Sequence, residues 1–244
     1  LCLNKISPVG LKVLPSSYKI TEDMSKADAI LVRSANMLET TLPEKVIGVA
    51  RAGAGVNNIP LEPYAKAGVV VLNTPGANAN AVKELTIAAM LLAARDIRGS
   101  MEWVKENKGD EAINKSMEKA KSAFAGTEIL GKTLGIIGLG AIGALVAQAA
   151  GALGMHVLSV EPSQATIEKN KHLLPSDLEI VNYDELYKRA DYISVHVPLL
   201  DATRGMINKD AFSKMKDGVI LINCARDAIV NDDDLKEAIE YANR

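Results

Sequence analysis

Cysteine is nearly absent: Cys2 and Cys224 are the only two in 244 residues. They lie far apart and lack the spacing of a metal site or a disulfide framework. A stapled secreted scaffold is thereby excluded, no metal is expected, and a reducing cytoplasm is the simplest compartment. Histidine is scarce as well, with three residues, so histidine-based proton transfer has few candidates. Charge of either sign is not in excess, with 28 Lys and Arg against 30 Asp and Glu. No basic block stands out, which argues against nucleic acid as a main partner. No uninterrupted apolar run is long enough to span a bilayer; Ala141–Met155 is apolar but too short, so no membrane partner is expected. No secretory leader is visible. The chain starts with Leu rather than Met, so its ends are expected not to be the natural ones. Repeats and low-complexity tracts are also missing.

What is present reads as globular. Hydrophobic residues make up 48%, and the length suits one or two domains with an ample core. Strand-like runs alternate with helical patterns, which points to an α/β fold with parallel sheets. In the first third, Ala29–Val32, Val46–Val49 and Val69–Leu72 are apolar enough for buried parallel strands. Asn80–Arg95 carries the strongest helical periodicity, through Val82, Leu85, Ile87, Met90, Leu91 and Ala94. The stretch Glu102–Lys121 is dense in Lys and Glu and reads as a solvated helix linking two domains, with a subunit-contact arm as the alternative. Later strands are expected at Tyr192–His196 and Val219–Asn223. A helix over Asn208–Lys216 would have Asn208 as N-cap and Gly218 as its stop, and the acids at the start of Asp232–Tyr241 suit a last helix. The expected division is residues 1–91 for a first unit and 92–244 for a second.

The most specific local signal is Gly138-Leu139-Gly140-Ala141-Ile142-Gly143. Thr133–Ile137 before it reads as a buried strand, and Ala141–Leu153 after it as a helix. The next apolar run, His156–Val160, ends at Glu161, at the roughly 20-residue spacing of a dinucleotide-binding βαβ unit. In such a unit Gly138 permits the tight turn, Gly140 lets the backbone approach a pyrophosphate, and Gly143 lets helix and strand pack closely. The helix N-terminus offers N–H groups and partial positive charge to the same pyrophosphate. Glu161 is placed to accept from the adenosine ribose hydroxyls. Its charge repels a 2′-phosphate, and no Arg or Lys follows at Pro162-Ser163-Gln164, so NAD is expected rather than NADP. A plain βα turn is the bland alternative.

Ligands of open parallel sheets sit beyond the carboxyl ends of the strands. Arg33-Ser34 follows the first strand, and Arg33 there is either a grip for a carboxylate or phosphate or a solvated side chain. Arg51–Asn58 follows the second; its alternating small residues make either an anion nest or a flexible turn. Asn78 lies in the comparable loop beyond the third. His196, with Pro198, follows Tyr192–Val195 and is by position the best acid/base candidate of the three histidines. His156 is expected in the core and His172 on a solvated face. Asn223-Cys224-Ala225-Arg226 follows the last strand. Arg226 can bind the carboxylate of a 2-hydroxy or 2-oxo acid and polarise the adjacent oxygen, or simply pair with Asp227 or Asp232. Small Cys224 and Ala225 leave room for a nicotinamide, and nothing marks Cys224 as an activated nucleophile.

Taken in order, Arg33-Ser34-Ala35, Arg51–Asn58, Asn73–Asn78, Glu84-Leu85, Gly135–Gly143, His196–Leu200 and Asn223–Val230 resemble the D-isomer-specific 2-hydroxyacid dehydrogenases over nearly the whole chain. The resemblance implies two Rossmann-like domains, a flavodoxin-like substrate domain and an NAD-binding domain inserted into it, which close over the substrate in a cleft. It implies a homodimer formed through the NAD-binding domain. By position, Ala54, Ala141, Ile142, Glu161, Val197, Pro198, Cys224 and Ala225 would line the cofactor beside Gly138, Gly140 and Gly143. Arg33, Ser34 and Asn78 would contact the substrate, and Ala52, Gly53, Gly55 and Val56 would hold its carboxylate. Arg226 matches the catalytic arginine.

The family's catalytic histidine and its glutamate partner lie further on than Arg244. His196 is thereby reduced to a wall of the cofactor site, and the chain is expected to lack the C-terminal part of the fold and to be inactive alone. Two positions depart from the pattern. Asp227 stands where the family usually has Gly and is expected to compete for the guanidinium of Arg226; Asn231 stands where Asp is frequent. The implied activity is NAD-dependent oxidation of a small D-2-hydroxy acid, 3-phosphoglycerate foremost. Hydroxypyruvate or glyoxylate reduction, or a silent NAD-binding module, are the alternatives.

Overall fold

The computed structural model describes residues 1–242, and the chain divides into two compact units between Asn78 and Ala79. The first unit is built on a parallel sheet of three strands, β1 (Ala29–Val32), β2 (Gly48–Arg51) and β3 (Val70–Leu72), in that order. Leu1–Leu3 runs alongside β1: the Leu31 amide donates to the Leu1 carbonyl at 2.7 Å and the Leu3 amide to the Leu31 carbonyl at 2.9 Å. Ile30, Val32, Met37, Val49 and Tyr64 form the core of this unit. β2 starts two residues later than its apolar run suggests. Pairing of Ala29 with Gly48 sets the register, so Val46 is buried by packing alone and Ile47 faces out. The same register brings Arg51 level with Val32.

The second unit carries a five-stranded parallel sheet of β4 (Thr133–Ile137), β5 (His156–Val160), β6 (Glu179–Ile180), β7 (Tyr192–Val195) and β8 (Ile220–Asn223), ordered β6-β5-β4-β7-β8. Side chains alternate between two cores, as strand geometry requires. Leu134, Ile136, Val157, Tyr192 and Ile222 enter one core; Ile137, Val160, Ile193 and Val195 enter the other. Each fully buried Leu or Ile contributes about 1.5–3 kcal/mol. β6 escaped the sequence reading because it is two exposed residues long and exists only through its pairing with β5.

Three expectations are corrected here. The boundary at 91/92 moves to 78/79, because the helix Ala79–Ala94 buries Met90 and Ala94 in the same core as Leu134 and Ile136. Glu102–Lys121 is not one linking helix. It is two, Ile97–Glu106 and Ile113–Ala120, broken at a turn where Asp110 accepts from the Ala112 amide and the Ser116 hydroxyl, and both lie inside the second unit. His156 is not a core residue: it opens β5 and is exposed. Asn208 does cap the next helix, Lys209–Lys214, by accepting from the Ala211 amide.

Candidate active site

The parallel register ends four strands of the second unit in one row. Ile137 pairs with Val160 and with Val195, and Val195 pairs with Asn223. Gly138, Glu161, His196 and Cys224 therefore leave the sheet side by side at its carboxyl edge. Between β4 and β7 the strand order reverses, which opens the crevice where such sheets take their ligands.

Gly138 turns in the left-handed region at φ +96°, and a Cβ there would lie 2.9 Å from Val197 Cγ1. Val197 thus packs on the glycine loop. Gly143 packs closer still: a Cβ would stand 1.9 Å from the Gly138 carbonyl oxygen. Gly140 is different, because a Cβ there would meet nothing within 4 Å. It also leaves the helix Ala141–Ala152 without a side-chain cap. Open space in front of first-turn N–H groups at the positive end of a 12-residue helix is the cradle a pyrophosphate needs.

Leu139 locks this loop to the acid. Its amide donates to Glu161 Oε2 at 2.9 Å, and its carbonyl accepts from Asn170 Nδ2 at 2.8 Å. Glu161 Oε1 accepts from the Ser163 amide at 2.9 Å. Each carboxylate oxygen keeps lone pairs for ribose hydroxyls. The residues present fit a dinucleotide, and they disfavour one with a 2′-phosphate. Asn170 belonged to no motif, and only its buried position reveals it.

His196 lies just past β7, with Nε2 2.8 Å from Ser194 Oγ. Burial pushes the ring down to about 4, so it is neutral under physiological conditions. The unfolded chain binds a proton at higher pH than the folded one. Stability is therefore complete above about pH 6.5 and falls as pH drops toward 4, by on the order of 3 kcal/mol. Thermal melts across that window, compared with His196→Gln, check this: the variant should lose most of the pH slope. His172 is exposed.

The loop after β8 is held by Asn223. Its Nδ2 donates to the Arg226 carbonyl at 2.8 Å and its Oδ1 accepts from the Ala225 amide at 3.0 Å. Arg226 is exposed, and its guanidinium donates to the Ala225 carbonyl at 2.8 Å. The expected competition from Asp227 is absent, because that carboxylate accepts from the Ala228 amide at 2.8 Å instead. Pro198 is exposed on the loop after β7, where Thr203 Oγ1 donates to its carbonyl at 2.6 Å.

In the first unit, Arg33 and Ser34 follow β1 and are exposed. The Arg33 guanidinium has no hydrogen bond or ion pair among the described residues. Ala52, Gly53, Ala54, Gly55 and Val56 follow β2. The Ala52 amide donates to the Val32 carbonyl at 2.8 Å and the Gly53 amide to Arg51 at 2.9 Å. The amides of Ala54, Gly55 and Val56 donate to no acceptor among the described residues. The Asn73 amide group donates to the Ala54 carbonyl at 2.7 Å, which ties the loop after β3 to this one. Asn78 is exposed in the turn that ends the unit. The amides of Ala54, Gly55 and Val56 and the guanidinium of Arg33, on the loops after neighbouring strands, are thus donors without an acceptor among the described residues.

The fold and these loops define an NAD-binding Rossmann sheet accompanied by a smaller parallel unit. Residues 87–243 match the family model described as D-isomer specific 2-hydroxyacid dehydrogenase, NAD binding domain. The chain belongs to that family, and its cofactor is NAD. It is 40% identical over 219 residues to the hydroxypyruvate reductase of Thermotoga maritima, covering 88% of this chain and 65% of the relative. It is 38% identical over 237 residues to the D-3-phosphoglycerate dehydrogenase of Archaeoglobus fulgidus, covering 95% and 42%. The structure of D-lactate dehydrogenase from Aquifex aeolicus complexed with NAD and lactic acid superposes with a TM-score of 0.74 at 29% identity, covering 96% and 69%. The chain thus spans 65% of the length of the first of these curated relatives and 42% of the second.

Proposed function

We propose that this protein oxidises D-3-phosphoglycerate to 3-phosphohydroxypyruvate with NAD, the first step of serine biosynthesis. The observation that carries the reading is the pairing, on neighbouring loops, of an unpartnered Arg33 guanidinium with the idle amides of Ala54, Gly55 and Val56. A substrate with a phosphate at one end and a carboxylate at the other suits that pair of anion receptors. Similarity to phosphoglycerate dehydrogenases supports the same choice.

In this reading the amides of the Ala52–Val56 loop hold the carboxylate, Arg33 and Ser34 take the phosphate, and Asn78 contacts the substrate. Arg226 anchors the carboxylate end and polarises the oxygen on C2. Gly138, Gly140, Ala141, Ile142 and Gly143 receive the pyrophosphate, and Glu161 the adenosine ribose. Ala54, Val197, Pro198, Cys224 and Ala225 line the remainder of the cofactor. NAD, when bound, supplies the hydride acceptor. The hydroxyl proton passes to a histidine outside this sequence, made more basic by a glutamate, since His196 is buried with its pKa lowered and His156 opens β5 at the opposite edge of the sheet. The protein acts as a homodimer through its NAD-binding unit, whose helices expose Leu85, Leu92, Met101 and Val104, and in the cytoplasm, in keeping with two free cysteines.

A second reading, reduction of hydroxypyruvate or glyoxylate, is favoured by the Thermotoga maritima relative. Steady-state kinetics with Arg33→Ala separate the two. Loss of the charged pairing should raise KM for D-3-phosphoglycerate roughly 10- to 100-fold and leave hydroxypyruvate nearly unaffected. Equal weakening of both substrates would remove the phosphate role. NAD binding without turnover of any of these acids would make the chain a binding module.

A further inference from the structure

We propose that Asn4 is a positioning residue that shapes the anion-receiving loop Arg33–Ala35; the substrate half of this inference rests on the function proposed above. Pairing of Leu1–Leu3 with β1 is parallel, so the residue after Leu3 comes level with the residues after Val32. That residue is Asn4, half-buried at the carboxyl edge of the sheet. Its Oδ1 accepts three consecutive backbone amides, from Arg33 at 3.0 Å, Ser34 at 2.9 Å and Ala35 at 2.8 Å.

Three successive N–H groups turned toward one point are the geometry of an anion nest. Here a neutral side-chain oxygen of the protein fills the nest. The carbonyls of the loop are held as well: Arg33 accepts from Arg51 Nε at 3.1 Å and Ala35 from Asn58 Nδ2 at 2.7 Å. Nearly every polar backbone group of the three residues is committed to the scaffold, and the side chains of Arg33 and Ser34 are left exposed. The loop is therefore shaped before any ligand arrives, which lowers the ordering cost of binding. Asn4 itself makes no contact with the ligand.

The test compares wild type, Asn4→Ala and Asn4→Asp in two measurements: amide hydrogen exchange at residues 33–35, and calorimetric affinity for D-3-phosphoglycerate and for NAD. In Asn4→Ala the three amides should exchange roughly tenfold faster or more, and affinity for D-3-phosphoglycerate should fall roughly 10- to 100-fold, the scale of lost supporting contacts. NAD affinity should be unchanged. Asn4→Asp should restore the slow exchange, because a carboxylate oxygen accepts amides at least as well, while its charge beside Arg33 keeps affinity for the anionic ligand low. Unchanged exchange in Asn4→Ala, faster exchange with undiminished affinity, or failure of Asn4→Asp to restore the slow exchange would each overturn the proposal. If Asn4→Ala unfolds the first unit, Asn4→Ser provides the comparison, since its shorter oxygen cannot reach all three amides. Wild-type protein that does not bind D-3-phosphoglycerate would overturn the substrate reading alone. Inorganic phosphate then replaces it as the probe, and its affinity should follow the exchange result in the uncharged variants.

Discussion

Gly140→Ala should fold and lose NAD, whereas Gly143→Ala should lose stability first. The two glycines stand three residues apart in one motif, and their surroundings separate them. A methyl group at Gly140 meets no atom of the chain within 4 Å. Its backbone, at φ −62° and ψ −165°, is one that alanine adopts without strain. The cost to folding is that of a poorer N-cap, about 1 kcal/mol. The same methyl occupies the space a pyrophosphate must enter, so overpacking of roughly 1–3 kcal/mol falls on binding, which is about a 10- to 100-fold loss of NAD affinity.

Gly143 reverses the balance. Alanine inside a helix is favoured over glycine by about 1 kcal/mol, but its Cβ would lie 1.9 Å from a backbone oxygen. Backbone cannot yield as a flexible side chain does, so the clash wins and a net loss of about 2 kcal/mol or more is expected. That lowers Tm by roughly 4–8 °C for a chain of this size. Thermal melting and NAD calorimetry on both variants decide it. Undiminished NAD affinity in Gly140→Ala would rule out the loop as the pyrophosphate site.

In a form of the protein that includes the general base, Arg226→Ala should reduce kcat/KM for the 2-hydroxy acid by about a thousandfold, with NAD affinity and Tm nearly unchanged. Removing one preorganised donor to a reacting oxygen costs on the order of 10²–10³, and the lost charged contact to the carboxylate adds to it. Folding should be indifferent. Arg226 is exposed, its guanidinium bonds only to the carbonyl of Ala225 among the described residues, and the loop is held by Asn223. Arg226→Lys should recover little, because an ammonium cannot reproduce two parallel hydrogen bonds. Full activity in Arg226→Ala would withdraw the catalytic assignment.

The NAD-binding half was largely legible because its signals are local. Gly138 turns in the left-handed region, Gly143 stands where a Cβ would clash and Gly140 faces open space, and strand, helix and acid follow within one βαβ unit. The first unit was harder. Apolar runs located three strands, yet β2 slipped by two residues, since an apolar run says which residues avoid water and not which partner they pair with. Asp227 misled for a related reason: adjacency to Arg226 suggested an ion pair, and the backbone turned its carboxylate to Ala228 instead. The boundary between units was misplaced because periodicity marks the apolar face of Ala79–Ala94 without naming the sheet it packs on.

By itself the sequence determined the α/β class, the parallel strands, the glycine loop and NAD as the cofactor. These follow from residue type and short-range spacing, which act wherever the chain goes. Only the tertiary structure decided that Asn170 clamps Leu139, that Asn223 braces Arg226, and that Asn4 collects three amides from a loop 29 residues away. An asparagine can donate or accept in almost any loop. Its role is set by which backbone groups the strand register brings within hydrogen-bond reach, and that register exists only in the folded sheet.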